Sequence, residues 1–501
     1  MLRSPMIVRL GNPINMRSSV AVVRLVLTVL LASLEFELVF AETKETTPPN
    51  VLFIAIDDLN DYALGLNEKY RAHTPHLDAL ADRGVLFSNA HCAAPVCNPS
   101  RVSVLTGVSP ATSGVYTNRD DWRDNEYLKT VQTIPEAFQD LDYEVLGGGK
   151  IYHAANLSEK MLEGFLDASP WDEYFPSKTR QLADEYVPPR RSVNGSNDFY
   201  GGRFDWNALD IDDDEMGDGK VVSWAEKQLL RDHDKPVFLG VGIYRPHIPW
   251  YTPKQWFEAY PIHEITLPQD PASDLSDVPG VGADTIKRSW HRWLVEQDKW
   301  DDATQAYLAS VSFADAMVGR LIAALERGPM ANNTIVILWS DHGYHLGHKE
   351  HWEKRVLWEQ ATHVPLIIVD QRMTGSEGRR CHEAVSLLDI FPTLLDLCGS
   401  KAPAHCEGVS LVPLLKNPDI ESGRAVVTTY QFQNHSVRDR HWRYIRYVSG
   451  DEELYDHRVD SHERNNLAAN TDFAREKRRL AKFLPSRDAS QINSRKVIHS
   501  K

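Results

Sequence analysis

Cys97 is one of five cysteines in a chain of 501 residues, and it is followed directly by Asn98, Pro99, Ser100 and Arg101. A disulfide half needs no such neighbours. A zinc ligand would bring a second Cys or His at short spacing. A buried structural thiol is one reading. A thiolate nucleophile is another: Pro99 suits a first helical turn, and "SRVSVLTG" has helical apolar spacing up to Gly107. Cys97 would then face helix N–H groups and Arg101, a setting that favours an anion. Neither reading accounts for the whole pentapeptide.

Other reactive residues stand at the ends of apolar runs. "NVLFIAI", Asn50 to Ile56, ends in Asp57 and Asp58, and "NTIVILWS", Asn333 to Ser340, ends in Asp341 and His342. "YEVLGG" leads to Lys150 and His153, and "PVFLGVGIY", Pro236 to Tyr244, leads to Arg245 and His247. A single Asp after a strand is usually a turn residue or a helix cap. Two adjacent pairs are different, because packed together they repel unless a cation sits among them. Hard carboxylate oxygens suit calcium or magnesium. His153 and His247 both follow strand ends and lie off any apolar stripe.

The elements that must position these residues are legible as a pattern. Helical spacing runs over Pro75 to Arg83, Thr133 to Leu141, Lys220 to Arg231 and Ala303 to Glu326, between the apolar runs. Strands alternating with helices predict an α/β fold with a mostly parallel sheet flanked by helices. Such sheets bind ligands beyond the carboxyl ends of their strands, where these residues fall.

Composition sets limits. Hydrophobic residues make up 42% and charged residues 25%, ordinary for a globular enzyme. A net charge of −15 argues against nucleic acid or any broad polyanion surface, so positive contacts to an anionic ligand must be local. The apolar "SVAVVRLVLTVLLASLEF" follows Arg17 and ends near "VFA" before Glu42. Residues 1–41 therefore read as a signal peptide cleaved after Ala41, with Met16 a candidate start. The run is too short and too interrupted for stable membrane insertion. Export to the periplasm or the medium is expected, and residues 42–49 read as a disordered lead-in. Export permits disulfides. Cys398 and Cys406 are close enough in sequence to pair across a short loop, while Cys92 and Cys381 have no obvious local partner.

Cys97, Pro99, Ser100, Arg101, Leu105, Thr106 and Gly107 match C-x-P-S-R-x-x-x-L-T-G. In this the chain resembles the type I, formylglycine-dependent sulfatases. "GKIYH", "RPHIPW", "SDHGYHLGHKEHWEK" and "THVPL" are similar to the iduronate-2-sulfatase-like group. The resemblance implies an alkaline-phosphatase-like fold, with a catalytic domain over residues 50–420. It also implies a smaller C-terminal α+β subdomain with an antiparallel sheet over residues 421–501, where "AVVTTYQF", "WRYIRYV" and "AREKRRLAKFL" lie. It implies that a formylglycine-generating enzyme oxidises Cys97 to an aldehyde. Asp57, Asp58, Asp341 and His342 would hold one calcium ion together with the modified Cys97. Arg101, Lys150 and Lys354 would bind sulfate oxygens, Lys354 lying thirteen positions after Asp341. His247 would protonate the leaving alcohol, and His153 would act as the base that lets sulfate depart from the hydrated aldehyde.

The implied substrate is a sulfated small molecule or glycan, with a sulfated uronic acid or related sugar the expected type. The same fold supports phosphatases and phosphonate monoester hydrolases, and an unmodified Cys97 would leave a protein that binds sulfated glycans without turnover. Substrate choice rests on loops, for which Asn118 to Lys129, Pro188 to Phe204 and Thr266 to Trp300 are candidates. Their Trp and Arg residues suit sugar stacking and carboxylate pairing, and suit ordinary loop structure equally. His435 and His441 are expected to face solvent.

Overall fold

"NVLFIAI" is apolar throughout because it is covered on both faces. In a computed structural model of the protein, residues 47–492 are described, apart from 62–70, 156–158, 187, 189–191, 197–202, 269–273 and 376. The expected signal peptide and most of the lead-in lie outside the described residues, as do parts of the loops 188–204 and 266–300. The central sheet comprises β1 (Asn50–Ile56), β2 (Val85–Phe87), β3 (Glu144–Gly149), β4 (Glu173–Phe175), β5 (Val237–Ile243), β6 (Thr334–Ser340), β7 (Leu366–Asp370) and β8 (Arg379–Cys381). Their order is β8-β2-β7-β6-β1-β5-β3-β4. The run β6-β1-β5-β3-β4 is parallel, and β7 is antiparallel to both of its neighbours.

Leu52, Ile54 and Ile56 pack on one side with Leu77 and Leu80 of α1 (Pro75–Ala81). Val221 and Leu229 of a second helix (Gly217–Leu230), and Val318 and Leu321 of a third (Trp300–Arg327), complete that side. Val51, Phe53 and Ala55 pack on the other side with Val102 and Leu105 of the helix Cys97–Thr106 and Phe138 of the helix Ile134–Asp140. Period-two burial on two covered faces gives a continuous apolar strand rather than an alternating one. The helix Trp300–Arg327 is long and apolar enough to cross a membrane, but most of its apolar stretch is buried inside the protein.

Four further strands, Val426–Thr429, His435–Arg438, Trp442–Arg446 and Glu452–Asp456, form an antiparallel sheet in sequence order. Leu480 of the helix Ala474–Leu480 packs with Val437, Trp442 and Tyr444 on one face. On the other face, Ile445 and Tyr455 meet Val356, Leu357 and Trp358. Thr429 N–H donates to Ala93 O at 2.8 Å and Thr428 Oγ1 to Cys92 O at 2.6 Å, tying this sheet to the segment just before Cys97. Beneath it lies a buried ionic network. Arg443 pairs with Glu359 and, at 2.5 Å, with Glu463, which also takes His457 Nε2 at 2.9 Å and the Glu359 N–H at 2.9 Å. Breaking one partner of a buried pair strands the other, so Glu463→Ala is expected to cost about 3 kcal/mol, read from the midpoint of urea unfolding.

Two expectations are corrected here. His435 is buried, because its strand faces the C-terminal segment and its Nε2 lies 3.2 Å from Asp488; His441 is exposed as expected. All five cysteines are free thiols. Cys398 faces Tyr143, whereas Cys406 packs on Gly107, which has a φ of 70° and no side chain to exclude it, so the two do not bridge.

Candidate active site

Register brings the reactive residues together. Ile56 of β1 stands opposite Ile243 of β5 and Ser340 of β6, so the three strands end at one level. Asp57 N–H then donates to Ile243 O at 3.2 Å, and Asp341 N–H to Ile56 O at 3.3 Å. Gly149 of β3 pairs with Gly242. A side chain at Gly242 would strike the Lys150 backbone, and Gly149 turns with φ 72° to deliver Lys150 into the same space.

Cys97 is the first residue of its helix, and Arg101 follows one turn later on the same face. The neighbours of Cys97 have structural work of their own. Asn98 holds the next loop through Nδ2, which donates to Thr117 O at 2.9 Å and Asp120 O at 2.7 Å. Ser100 Oγ donates to Asp341 O at 2.6 Å and so ties the helix to the end of β6. Arg101 Nε donates to Asp341 Oδ2 at 2.8 Å, its Nη2 lies 3.5 Å from Asp57 Oδ1, and its Nη1 reaches the Lys150 and Ile151 carbonyls.

Three cations thus meet three carboxylates. Lys150 Nζ pairs with Asp57, and Lys354 Nζ lies 2.7 and 2.9 Å from the two oxygens of Asp58. Asp58 holds a left-handed backbone, φ 63°, fixed by its N–H on Asp341 Oδ1 and its carbonyl under Tyr307 OH. His342 sits between the groups, Nε2 3.2 Å from Cys97 Sγ and Nδ1 3.3 Å from Asp58 Oδ1. Ligand-type atoms of Asp57, Cys97, Asp341 and His342 all lie within 4.8 Å of one another, as do those of Asp58, Cys97 and His247. His153 is buried beside Cys97 and helps to hold its thiol down. His247 is half-buried, its Nδ1–H donates to Ile248 O at 2.6 Å, and its ring lies 4.8 Å from that of Tyr244, which also faces Lys150.

Burial is the largest single influence on Cys97, Asp57, Asp341, His342 and His153. It pushes the Cys97 thiol up, but Lys354, Lys150 and His342 outweigh it and hold the thiol well below its ordinary range. Burial pushes Asp57 up, but Lys150, His247 and Arg101 together outweigh it and hold the carboxyl below its usual range. Asp341 is pushed up to about 7 by burial, with Asp57 adding to the rise against Arg101. His342, which burial alone would lower, is raised to about 9 by Asp341 and Cys97. Burial keeps His153 below the usual imidazole value.

Every residue singled out from the sequence as a site candidate is in this cluster. Two of the loop indoles are not sugar platforms. Trp122 is buried and stacked on Tyr152, and Trp290 is buried against Phe204, because both loops turn their indoles inward. Asp218 was not visible in advance. Its carboxylate accepts the Tyr244 and Arg245 N–H groups at 2.7 and 2.9 Å and so holds the turn that carries His247. An Asp near a helix start carries no signal of that kind.

The sulfatase family profile matches residues 49–400. A protein from Formosa agariphila described as a sulfatase is 36% identical over 455 residues, covering 89% of this chain and 88% of its own. This chain belongs to the sulfatase family. A profile described as N-sulphoglucosamine sulphohydrolase, C-terminal, matches residues 347–489 of this sulfatase. The human iduronate 2-sulfatase is 31% identical over 396 residues, covering 71% of this sulfatase and 70% of its own chain. Among solved structures, a protein complexed with its substrate D-glucosamine-2-N,6-O-disulfate aligns with a TM-score of 0.66 at 20% identity, over 87% of this sulfatase and 96% of its own chain. A phosphonate monoester hydrolase from Silicibacter pomeroyi aligns with a TM-score of 0.71 at 20% identity, over 87% and 94%. At that identity both report the alkaline-phosphatase-like fold alone. The sulfatase relatives assign this chain to the enzymes that hydrolyse sulfate esters.

Proposed function

We propose that this sulfatase releases inorganic sulfate from a sulfated sugar or polysaccharide fragment, with Cys97 matured to formylglycine and one calcium ion held at the strand ends. The observation that carries the reading is the convergence of Asp57, Asp58, Asp341 and His342 on the Cys97 sulfur, ringed by Arg101, Lys150 and Lys354. The donor set fits a hard divalent ion: it is rich in carboxylate oxygens, and Asp57 Oδ1 is buried with no hydrogen-bond donor of its own. Formylglycine supplies a hydroxyl nucleophile and a way to expel sulfate, and calcium supplies positive charge beside the sulfate oxygens.

The chain's own residues do the rest. Arg101, Lys150 and Lys354 bind and orient the sulfate oxygens in a buried site, where fixed cations act more strongly than in water. With Nδ1–H committed to Ile248 O, His247 carries its transferable proton on Nε2 and delivers it to the departing sugar oxygen. His153, kept neutral at pH 7 by burial, takes the proton whose loss frees sulfate at position 97. Export with cleavage after Ala41, maturation by a formylglycine-generating enzyme, and a division near residue 420 complete the proposal. N-terminal sequencing of secreted material is expected to begin at Glu42.

The test is sulfate release by mature enzyme, checked by the lowered mass of its Cys97 peptide. The panel is sulfated mono- and oligosaccharides, an aryl sulfate, and aryl phosphate and phosphonate esters. Sulfated sugars are expected to exceed the phosphorus esters by about 100-fold in kcat/KM, a discrimination of under 3 kcal/mol. Turnover of phosphorus esters alone, or tight glycan binding without turnover, would replace this reading.

A further inference from the structure

The stretch that leads to Lys354 is held in an unusual shape. Lys349, Glu350, Glu353 and Arg355 all have left-handed backbones, with φ of 54°, 53°, 103° and 76°. Such conformations persist only where the surroundings over-determine them. One anchor is Lys349, whose ammonium donates to Glu463 O at 2.6 Å. The other is His351, which is fully buried in the middle of the stretch.

Each nitrogen of the His351 ring faces a backbone group that can play only one part. The Lys287 N–H, a donor, lies 2.9 Å from Nδ1. The Lys354 carbonyl, an acceptor, lies 2.9 Å from Nε2. Nδ1 must therefore be bare and Nε2 must carry the hydrogen. Burial holds the group at about 3, so the ring stays neutral at any working pH and this tautomer does not change. The imidazole thus links the residue that starts the helix Arg288–Glu296 to the backbone of Lys354, whose ammonium reaches both oxygens of Asp58.

We propose that His351 is a positioning residue for the reaction: a neutral imidazole, locked in one tautomer between Lys287 N–H and Lys354 O, that aims the Lys354 side chain into the site. The inference rests on the reading of Lys354 as a sulfate contact. Its test keeps the two separable by using Lys354→Ala, His351→Leu, His351→Asn, His351→Gln and the double variant Lys354→Ala/His351→Leu. The readouts are steady-state kinetics on an aryl sulfate and thermal midpoints.

Lys354→Ala is expected to lower kcat/KM by about 100-fold or more, the scale of losing one charged contact to a developing anion. His351→Leu is expected to lower it by about 10- to 50-fold, the scale of misplacing a site group. Gln can accept with its oxygen and donate with its nitrogen across the same span, so His351→Gln is expected to stay within about 3-fold of wild type. Asn has the same chemistry but is too short, and behaves like Leu. In the Lys354→Ala background, His351→Leu is expected to cost under about 2-fold, because the side chain it aims is gone. An undiminished Lys354→Ala would overturn the reading of Lys354 itself. With Lys354→Ala impaired, any of three results overturns the role of His351: wild-type activity in His351→Leu, an equal loss in both backgrounds, or His351→Gln no better than His351→Asn. The Gln and Asn pair decides the matter even if the Leu variant does not fold.

Discussion

Cys97→Ala is expected to abolish sulfate release, by about 10⁴-fold or more in kcat, while leaving the protein folded. Removal of a covalent nucleophile costs on this scale elsewhere, since what remains is binding and charge stabilisation alone. Position 97 is a point that the strand-end groups share: His342 Nε2 lies 3.2 Å from its sulfur, and that sulfur belongs both to the Asp57, Asp341 and His342 group and to the Asp58 and His247 group. The fold does not depend on that atom. The helix it begins is tied down by Asn98, Ser100 and Arg101 through their own bonds, all of which survive the substitution. Losing one buried sulfur should cost on the order of 1–2 kcal/mol. The check is sulfate release over long incubation beside a thermal melt. A Cys97→Ala protein with activity within about tenfold of wild type would place the nucleophile elsewhere, because no other group in the cluster could substitute for it at so small a loss.

What could be read in advance follows from burial. β1 and β6 were legible almost to the residue, because a strand covered on both faces must be apolar along its whole length. The residues just past their ends stood out because three acids in that position, Asp57, Asp58 and Asp341, are costly unless something offsets them. Register was not legible, since nothing in "NVLFIAI" says that Ile56 will stand opposite both Ile243 and Ser340. The stretch "HKEHWEKR" reads locally as a solvated loop, yet His348, Lys349, His351, Glu353 and Lys354 are all buried. Their burial depends on partners over a hundred positions away in sequence for Lys349, on Glu463, and nearly three hundred for Lys354, on Asp58. Local charge pattern carries no trace of such pairing. The indoles of Trp122 and Trp290 mislead for the same reason in reverse: polar neighbours suggest a surface loop, while the ring itself turns into the core.

The second large effect concerns the cation. Asp57→Asn is expected to lower kcat by about 10³-fold and to remove the calcium-dependent rise in thermal midpoint. Asn keeps the size of the side chain and one acceptor oxygen but not the charge, and hard divalent ions are held chiefly by anionic oxygens. Asp57 is the better choice than Asp341 for this test. Asp341 also receives N–H groups from Asp58, His342 and Arg101, so its loss would disturb the fold and the site together. Asp57 has one oxygen on Lys150, and its Oδ1 accepts no hydrogen bond, with only Arg101 Nη2 3.5 Å away. Wild-type protein stripped with chelator and returned to calcium at about 100 times its dissociation constant gains roughly 2.7 kcal/mol if the ion binds the folded form only. The variant should show no such gain while keeping a midpoint near that of the stripped wild type, since Lys150 retains the amide oxygen. A full calcium-dependent rise in Asp57→Asn would move the ion away from the strand ends, and with it the positive charge that the sulfate is proposed to meet there.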